Sequence, residues 1–155
     1  MSQNKPQSII GKQSSNIVPM TLKMFKSLKQ HDYPNYFGHK VDLVCVVAQV
    51  QNVQPTISKR GLFQLSFILL DLFGGQSIIA NYTQYEGQDI QKTIFERNQI
   101  TTLKQLKLVK CILVAQKDKN IYYDIKHIEL VSDHNYIMYH LASCIKYHCQ
   151  VMYNT

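Results

Sequence analysis

The sequence predicts an all-β barrel with flanking helices, and three observations lead to that prediction. Apolar and β-branched runs, of which VDLVCVVAQVQNV at residues 41–53 is the first, recur along the chain between polar or glycine-containing turns. Five such runs can be counted before residue 132, and a helical pattern interrupts them between the third and the fourth. A second helical pattern follows the fifth run. This order is typical of a five-stranded Greek-key barrel of the OB type with a C-terminal α-helix.

The chain begins with a polar tail and a short helical pattern. Residues 1–16 are rich in Ser, Gln, Asn and Lys and carry too little apolar surface to order themselves, which predicts a disordered tail. Pro19 is suited to the first turn of a helix. The apolar residues that follow recur at helical spacing, namely Met20, Met24, Phe25 and Leu28. A short helix that caps the barrel is therefore predicted from Pro19 onward.

The remaining elements follow from turn signals and periodicity. The later strands are predicted at residues 62–73, 77–85, 106–116 and 121–131, with a short helix at 86–100. Gly74 and Gly75 close a hairpin, KDKN at 117–120 makes a polar turn, and the basic loop PTISKRG at 55–61 ends the first strand. The predicted OB-fold domain thus spans residues 17–131 and the final helix spans 132–155.

The final helix carries a narrow apolar seam. Its apolar positions recur in alternating steps of four and three, as in a coiled coil, and Asp133 is a suitable N-cap. Because a barrel closes its own core, the seam is expected to pack on a helix of another protein; the alternative is a helix that covers the bottom of its own barrel. The predicted partner interface consists of Ile137, Leu141, Cys144, Ile145, His148, Val151 and Met152.

The charge of the chain favours polyanionic partners. Seventeen Lys and Arg against ten Asp and Glu give a net charge of +7, so nucleic acid is a more natural partner than a membrane. The candidate nucleic-acid contacts combine loop cations with strand aromatics: Lys59, Arg60, Phe63, Tyr82, Lys117 and Lys119. The alternative for each cation is an ordinary solvated loop residue.

Enzyme, metal and cofactor functions find little support in the sequence. It contains no P-loop, GxSxG or HExxH motif, and its few acidic residues are scattered. The four cysteines lack metal-knuckle spacing and are expected to be free thiols. A metal site at His140, Cys144 and His148 is an alternative to packing in a helix bundle, but no fourth ligand is evident. No apolar run reaches the length of a membrane span, and no signal peptide is evident, which predicts an intracellular protein.

Two segments resemble a known family. In the final helix the resemblance is carried by Asp133, Asn135, Ile137, His140, Leu141, Ile145 and His148. This set resembles the C-terminal helix of the replication protein A middle subunit, and IVPMT at residues 17–21 is similar to the IVPxT segment before the barrel of that subunit. The segment VVAQVQNVQPT at 46–56 is similar to the first barrel strand of the same family.

The resemblance implies a function in subunit assembly. The family member joins a small OB-fold subunit and the C-terminal OB domain of a large subunit through a three-helix bundle. The resulting heterotrimer binds single-stranded DNA in the nucleus, in replication and repair, or in telomere maintenance for telomerase-associated paralogues. The resemblance does not separate these roles. A freestanding OB module that binds single-stranded nucleic acid directly is the alternative.

Departures from the family pattern concern DNA contact. Where the family has a stacking Trp, this chain has Asn81 and Tyr82, and Ala115 and Gln116 stand where a second aromatic would be. Because each stacked base contributes roughly 1–3 kcal/mol, weak intrinsic DNA binding is expected.

Overall fold

One long strand organises the barrel. The computed structural model describes residues 16–30, 33–57, 61, 63–72, 75–83, 107–117 and 122–153. Its elements are β1 (Ile17–Pro19), α1 (Leu22–Lys26), β2 (Asn35–Tyr36), β3 (His39–Lys40), β4 (Leu43–Ile57), β5 (Phe63–Asp71), β6 (Ser77–Thr83), β7 (Lys107–Val114), β8 (Tyr123–Leu130) and α2 (Asn135–Tyr153). β4 pairs with β7 through its first half and with β5 through its second half, so it belongs to both sides of the sheet.

A bulge in β4 allows this double pairing. The register with β5 shifts between Gln51 and Gln54, and Asn52 adopts a positive φ of 52°. A bulge bends a strand and increases its twist, so the two halves of β4 face different neighbours. The order β4-β5-β6-β8-β7 then returns to β4, and β6 and β8 run parallel. This closed order is that of the predicted OB barrel, and the predicted fold class is confirmed.

β4 is longer than the sequence predicted. Pro55 was expected in the loop after the strand, yet it pairs with Leu65 and the strand continues to Ile57. Among the described residues, the pairing of β4 with β7 runs to Val50 opposite Lys107, and the later part of β4 pairs with β5. Proline is found in strands at bulges, and the register shift between Gln51 and Gln54 directly precedes Pro55.

The barrel core is made of the inward side chains of the five strands β4 to β8. The residues that are less than 2% exposed include Val44, Val46, Val50, Leu65, Leu69, Leu113 and Ile125. These β-branched and leucine side chains alternate with outward residues along each strand, because successive side chains in a strand point to opposite faces. Burial of this set is the main stabilising contribution to the barrel.

The N-terminal segment differs from the prediction. Ile17–Pro19 form a strand parallel to β4 rather than the start of a helix, and the Met20 N–H donates to the Cys45 carbonyl at 3.1 Å. Helical geometry is disfavoured for the residue before a proline, and β-branched Ile17 and Val18 favour extended backbone. The helix α1 begins later, where the Thr21 hydroxyl accepts from the Met24 N–H at 3.1 Å as an N-cap.

The predicted packing of this segment is confirmed. Met20, Leu22, Phe25 and Leu28 are buried in the core and Met24 packs against it. The rings of Phe25 and Tyr123 lie 4.5 Å apart, which joins α1 to β8.

Several predicted elements lie outside the described residues. These are most of the N-terminal tail, the helix at 86–100 and residues 118–120 of the polar turn. Among the described residues, no helix is long and apolar enough to cross a membrane.

Candidate subunit interface

The first turn of α2 is held in place by its cap and by β7. Oδ1 of Asp133 accepts from the Asn135 N–H at 2.9 Å, as its predicted N-cap role requires. The Lys110 ammonium of β7 lies 5.4 Å from the centre of the Tyr136 ring, and it also pairs with Glu129 of β8 at 3.6 Å. The helix therefore starts at a fixed place beside the last two barrel strands.

One face of α2, the inner face, packs against the barrel. It consists of His140, Cys144 and Val151, each less than 5% exposed, with Tyr147 packed against the core beside them. Cys144 and Val151 were predicted to face a partner, and this prediction is wrong for both. The reason is that β1 and β4 present an apolar surface that the helix covers, so the barrel satisfies part of the seam.

His140 fixes the helix to the N-terminal segment. Its Nε2 lies 3.2 Å from the Met20 carbonyl oxygen, and because a carbonyl can only accept, Nε2 carries the proton. The Cys144 sulfur lies 3.4 Å from the same nitrogen. Burial lowers the pKa of His140, which favours the neutral ring, and burial raises the pKa of the Cys144 thiol to about 12. Both groups are thus uncharged near neutral pH.

The three residues considered as metal ligands, His140, Cys144 and His148, do not converge on one point. His148 directs Nδ1 to the Tyr36 hydroxyl at 2.7 Å rather than toward His140 and Cys144. Within the described ranges, no group of three His, Cys, Asp or Glu side chains could hold a metal ion. The cysteines described, at positions 45, 111, 144 and 149, are free thiols.

A second face of α2, the outer stripe, is apolar and open to solvent. It consists of Met138, Leu141, Ile145 and Met152, spaced three, four and seven residues apart. Met138 and Ile145 are 64% and 56% exposed, Met152 is also exposed, and Leu141 is half-buried. Ile137 and His148, which are also half-buried, lie between the outer stripe and the inner face. These four side chains form an apolar row that the described part of the barrel leaves open to solvent.

The hairpin of β2 and β3 supports the C-terminal half of α2. Beyond its contact with His148, the Tyr36 ring stacks on the Tyr147 ring at a centroid distance of 5.9 Å. Phe37 at the tip of the hairpin lies 6.2 Å from the His148 ring. Sequence reasoning missed this hairpin because its strands have two residues each, although the Phe37-Gly38 step between them is a turn signal.

The candidate nucleic-acid contacts are only partly described. Lys59, Arg60 and Lys119 lie outside the described residues, and for Phe63 only the position in β5 is described. Lys117 is exposed, with its ammonium 5.9 Å from the centre of the Tyr123 ring. Tyr82 was predicted to lie on the outer binding face, and this is wrong: its side chain belongs to the hydrophobic core.

The position of Tyr82 follows from strand alternation. In β6 the side chains of Ile78, Ala80 and Tyr82 point inward, so the alternate residues Ile79, Asn81 and Thr83 lie on the other face. Thr83 donates a hydrogen bond from its hydroxyl to Oε1 of Gln64 at 3.1 Å. Of these three residues only Ile79 is exposed, because Asn81 and Thr83 are buried. None of the three is aromatic, so the described part of this face offers no ring on which a base could stack.

The architecture defines an OB-fold barrel with a docked C-terminal helix that keeps an apolar stripe exposed. No family model matches the sequence, and no curated protein sequence matches it significantly. Its fold is similar to that of a chain in a replication protein A heterotrimer bound to single-stranded DNA, with a TM-score of 0.67 and 15% identity over 88% of this chain and 98% of that one.

Two further structures share this fold. A chain of the S. pombe Stn1–Ten1 complex has a TM-score of 0.67 and 13% identity over 88% of this chain and 94% of that chain. A chain from yeast Stn1 and Ten1 has a TM-score of 0.69 and 9% identity over 99% of this chain and 82% of that chain. At these identities the likeness concerns the fold, and it includes the replication protein A-like architecture that the sequence resemblance implied.

Proposed function

We propose that this chain is a non-enzymatic OB-fold subunit of a replication protein A-like heterotrimer that binds single-stranded DNA, and that it acts mainly in assembly. The observation that carries the proposal is the outer stripe of α2. One face of α2 already covers its own barrel, and the described residues leave the second, apolar face open to water, which is typical of a protein interaction surface. Burying that face against other helices removes the cost of exposing it.

The proposed partners are a small OB-fold subunit and the C-terminal OB domain of a large subunit, joined to α2 in a three-helix bundle. The outer stripe has the three-and-four spacing that such a bundle requires. The fold likeness to chains from a replication protein A heterotrimer and from Stn1–Ten1 complexes supports partners of this class. We place the complex in the nucleus, in DNA replication and repair or in telomere maintenance with a telomerase-associated complex.

Direct DNA binding by this subunit is expected to be a secondary contribution. The outer face of β6 offers no aromatic platform among its described residues, whereas the exposed cation Lys117 follows β7 in the loop toward β8. Phosphate contacts by such cations are independent of base sequence and weaken with salt. The DNA affinity of the whole complex would then reside mainly in its other subunits.

The test is a charge placed on the outer stripe. Ile145→Glu should prevent formation of the complex on co-expression with the small OB-fold subunit, because the glutamate would be buried unpaired in the bundle. Gln150→Glu is the matched control: it adds the same side chain at an exposed position about 140° around the same helix. Size-exclusion chromatography with light scattering reads out both variants.

Circular dichroism of the two variants alone confirms that the barrel is folded. A complex that forms equally well with Ile145→Glu would refute the assembly proposal.

The alternative is a freestanding module that binds single-stranded nucleic acid. The docked inner face favours it, since α2 folds back on its own barrel as such a module requires. It predicts a monomer that binds a labelled oligonucleotide at low salt and loses affinity on Lys117→Ala. A flat titration at low salt would exclude it.

A further inference from the structure

The tip of the short hairpin holds an aromatic residue in an unfavourable backbone conformation. Phe37 and Gly38, between β2 and β3, have φ values of 49° and 87°. Two central residues with positive φ are the mark of a type I′ turn, which favours Asn-Gly. A bulky residue at a positive φ is a genuine outlier, and strain of this kind is retained where the side chain has a use.

The side chain of Phe37 does not gain burial from this conformation. It is 59% exposed, although large aromatic side chains stabilise a fold chiefly by leaving water. Its ring meets Tyr36 edge-on at 4.8 Å and His148 at 6.2 Å. These two rings fix the direction of Phe37 and leave its remaining surface open.

Phe37 extends the outer stripe of α2. Its neighbour His148 follows Ile145 by three residues and precedes Met152 by four, so it lies beside both on the helix surface. The hairpin therefore adds an exposed aromatic ring to the edge of an exposed apolar row. Two separate elements of the fold contribute to one apolar surface.

The shape of this surface fits a helix. From Met138 to Met152 the outer stripe is about 21 Å long at 1.5 Å per residue, and it is one side chain wide. The side chains of a second helix pack into rows of this kind. Lys146 is the only charged residue between Asn135 and Tyr153, and it does not belong to the stripe, so no charge has to be desolvated there.

We infer that Phe37 is an aromatic contact for the helix of the small OB-fold subunit, that this helix lies along the outer stripe, and that the hairpin sets its position. This inference rests on the proposed function. Aromatic side chains held rigidly before binding contribute strongly to interfaces, because little conformational entropy is lost when they are buried. The positive φ of Phe37 raises the conformational free energy of the free chain. In the complex, the contact of Phe37 with the partner helix offsets this cost.

The test is Phe37→Asn, which supplies the residue type that the turn favours. For the chain alone, the melting temperature should stay the same or rise, because asparagine tolerates a positive φ. For the complex with the small OB-fold subunit, the dissociation constant should increase roughly tenfold or more, as for loss of an interface aromatic. His39→Asn is the control: it introduces the same residue at an exposed position of the same hairpin and should change neither quantity.

The outcomes separate this inference from the proposed function. If Phe37→Asn leaves the affinity unchanged while Ile145→Glu abolishes the complex, the inference is wrong and the assembly function stands. If both variants bind normally, both proposals fail. A fall in the melting temperature with no change in affinity would assign Phe37 to the stability of the hairpin and overturn the inference. A dimer of the lone chain that Phe37→Asn converts to monomer would show that the occupant is a second copy of this chain, which also overturns it.

Discussion

Val151 lies on the inner face of α2 and Ile145 on its outer stripe. Truncating each residue to alanine should therefore change the free energy of unfolding by different amounts. Val151 is 4% exposed and joins the barrel core, so Val151→Ala removes two buried methyl groups. At about 0.8 kcal/mol for each group, the loss is about 1.6 kcal/mol, to which a small cavity contribution adds. The better helix propensity of alanine returns roughly 0.5 kcal/mol. The free energy of unfolding should therefore fall by about 1–2 kcal/mol.

Ile145→Ala is the matched change on the outer stripe. It truncates a similar aliphatic side chain whose surface is already more than half exposed, so little burial is lost in the free chain. Its free energy of unfolding should change by no more than about 0.5 kcal/mol.

Urea denaturation of both variants, followed by circular dichroism, gives the two free energies. A loss of about 1–2 kcal/mol corresponds to a fall in melting temperature of roughly 2–8 °C for a chain of this size. Partner affinity should show the opposite order, with Ile145→Ala the more damaging variant. Equal destabilisation by the two changes would refute the assignment of inner and outer faces.

Three further changes test hydrogen bonds and burial that stabilise the two helices. Thr21→Ala removes the N-cap of α1, whose hydroxyl accepts from Met24, and should lower the free energy of unfolding by about 1 kcal/mol in urea denaturation. Tyr36→Phe deletes the 2.7 Å contact with His148 and should cost about 1 kcal/mol in the same assay, with increased hydrogen exchange in the last turns of α2. Burial lowers the pKa of His140 below 6.5, so the unfolded chain binds the proton more readily and stability should fall as the pH drops below that value. His140→Gln should show a smaller fall in melting temperature than the wild type between about pH 7.5 and pH 5.5, and equal falls would refute this role.

The barrel strands could be predicted because their sequence carries the information locally. β7 alternates between buried and half-buried residues, whereas the first half of β4 is a continuous apolar run that is buried throughout from Val44 to Ala48. Both patterns are typical of strands and can be read without knowledge of the tertiary structure. Pro55 was misplaced because a proline is compatible with a strand beside a bulge, and β4 has a bulge between Gln51 and Gln54. The position of a bulge is decided by the pairing of the whole sheet rather than by the sequence around the proline.

The side-chain directions in β6 could not be predicted with the same security. Side chains alternate between the two faces of a strand, so an error of one residue in the assumed alternation exchanges the faces. Both Asn81 and Tyr82 were considered for the outer face. Tyr82 belongs to the core, where its large ring fills space in the barrel. A tyrosine suits either face, so its residue type gave no signal.

The faces of α2 show why the two readings of its seam, a partner helix and a helix docked on its own barrel, are compatible. The inner face contains Cys144 and Val151, and the outer stripe contains Ile145 and Met152. Each pair is seven residues apart, and the two pairs are displaced by a single residue, so both repeat with the period of a coiled coil. The sequence pattern shows both seven-residue repeats superimposed on one helix. It does not tell which of the two repeats packs against the barrel. The burial of Cys144 beside the exposure of Ile145 distinguishes the two repeats: the barrel covers one of them and leaves the other exposed, as the proposed bundle requires.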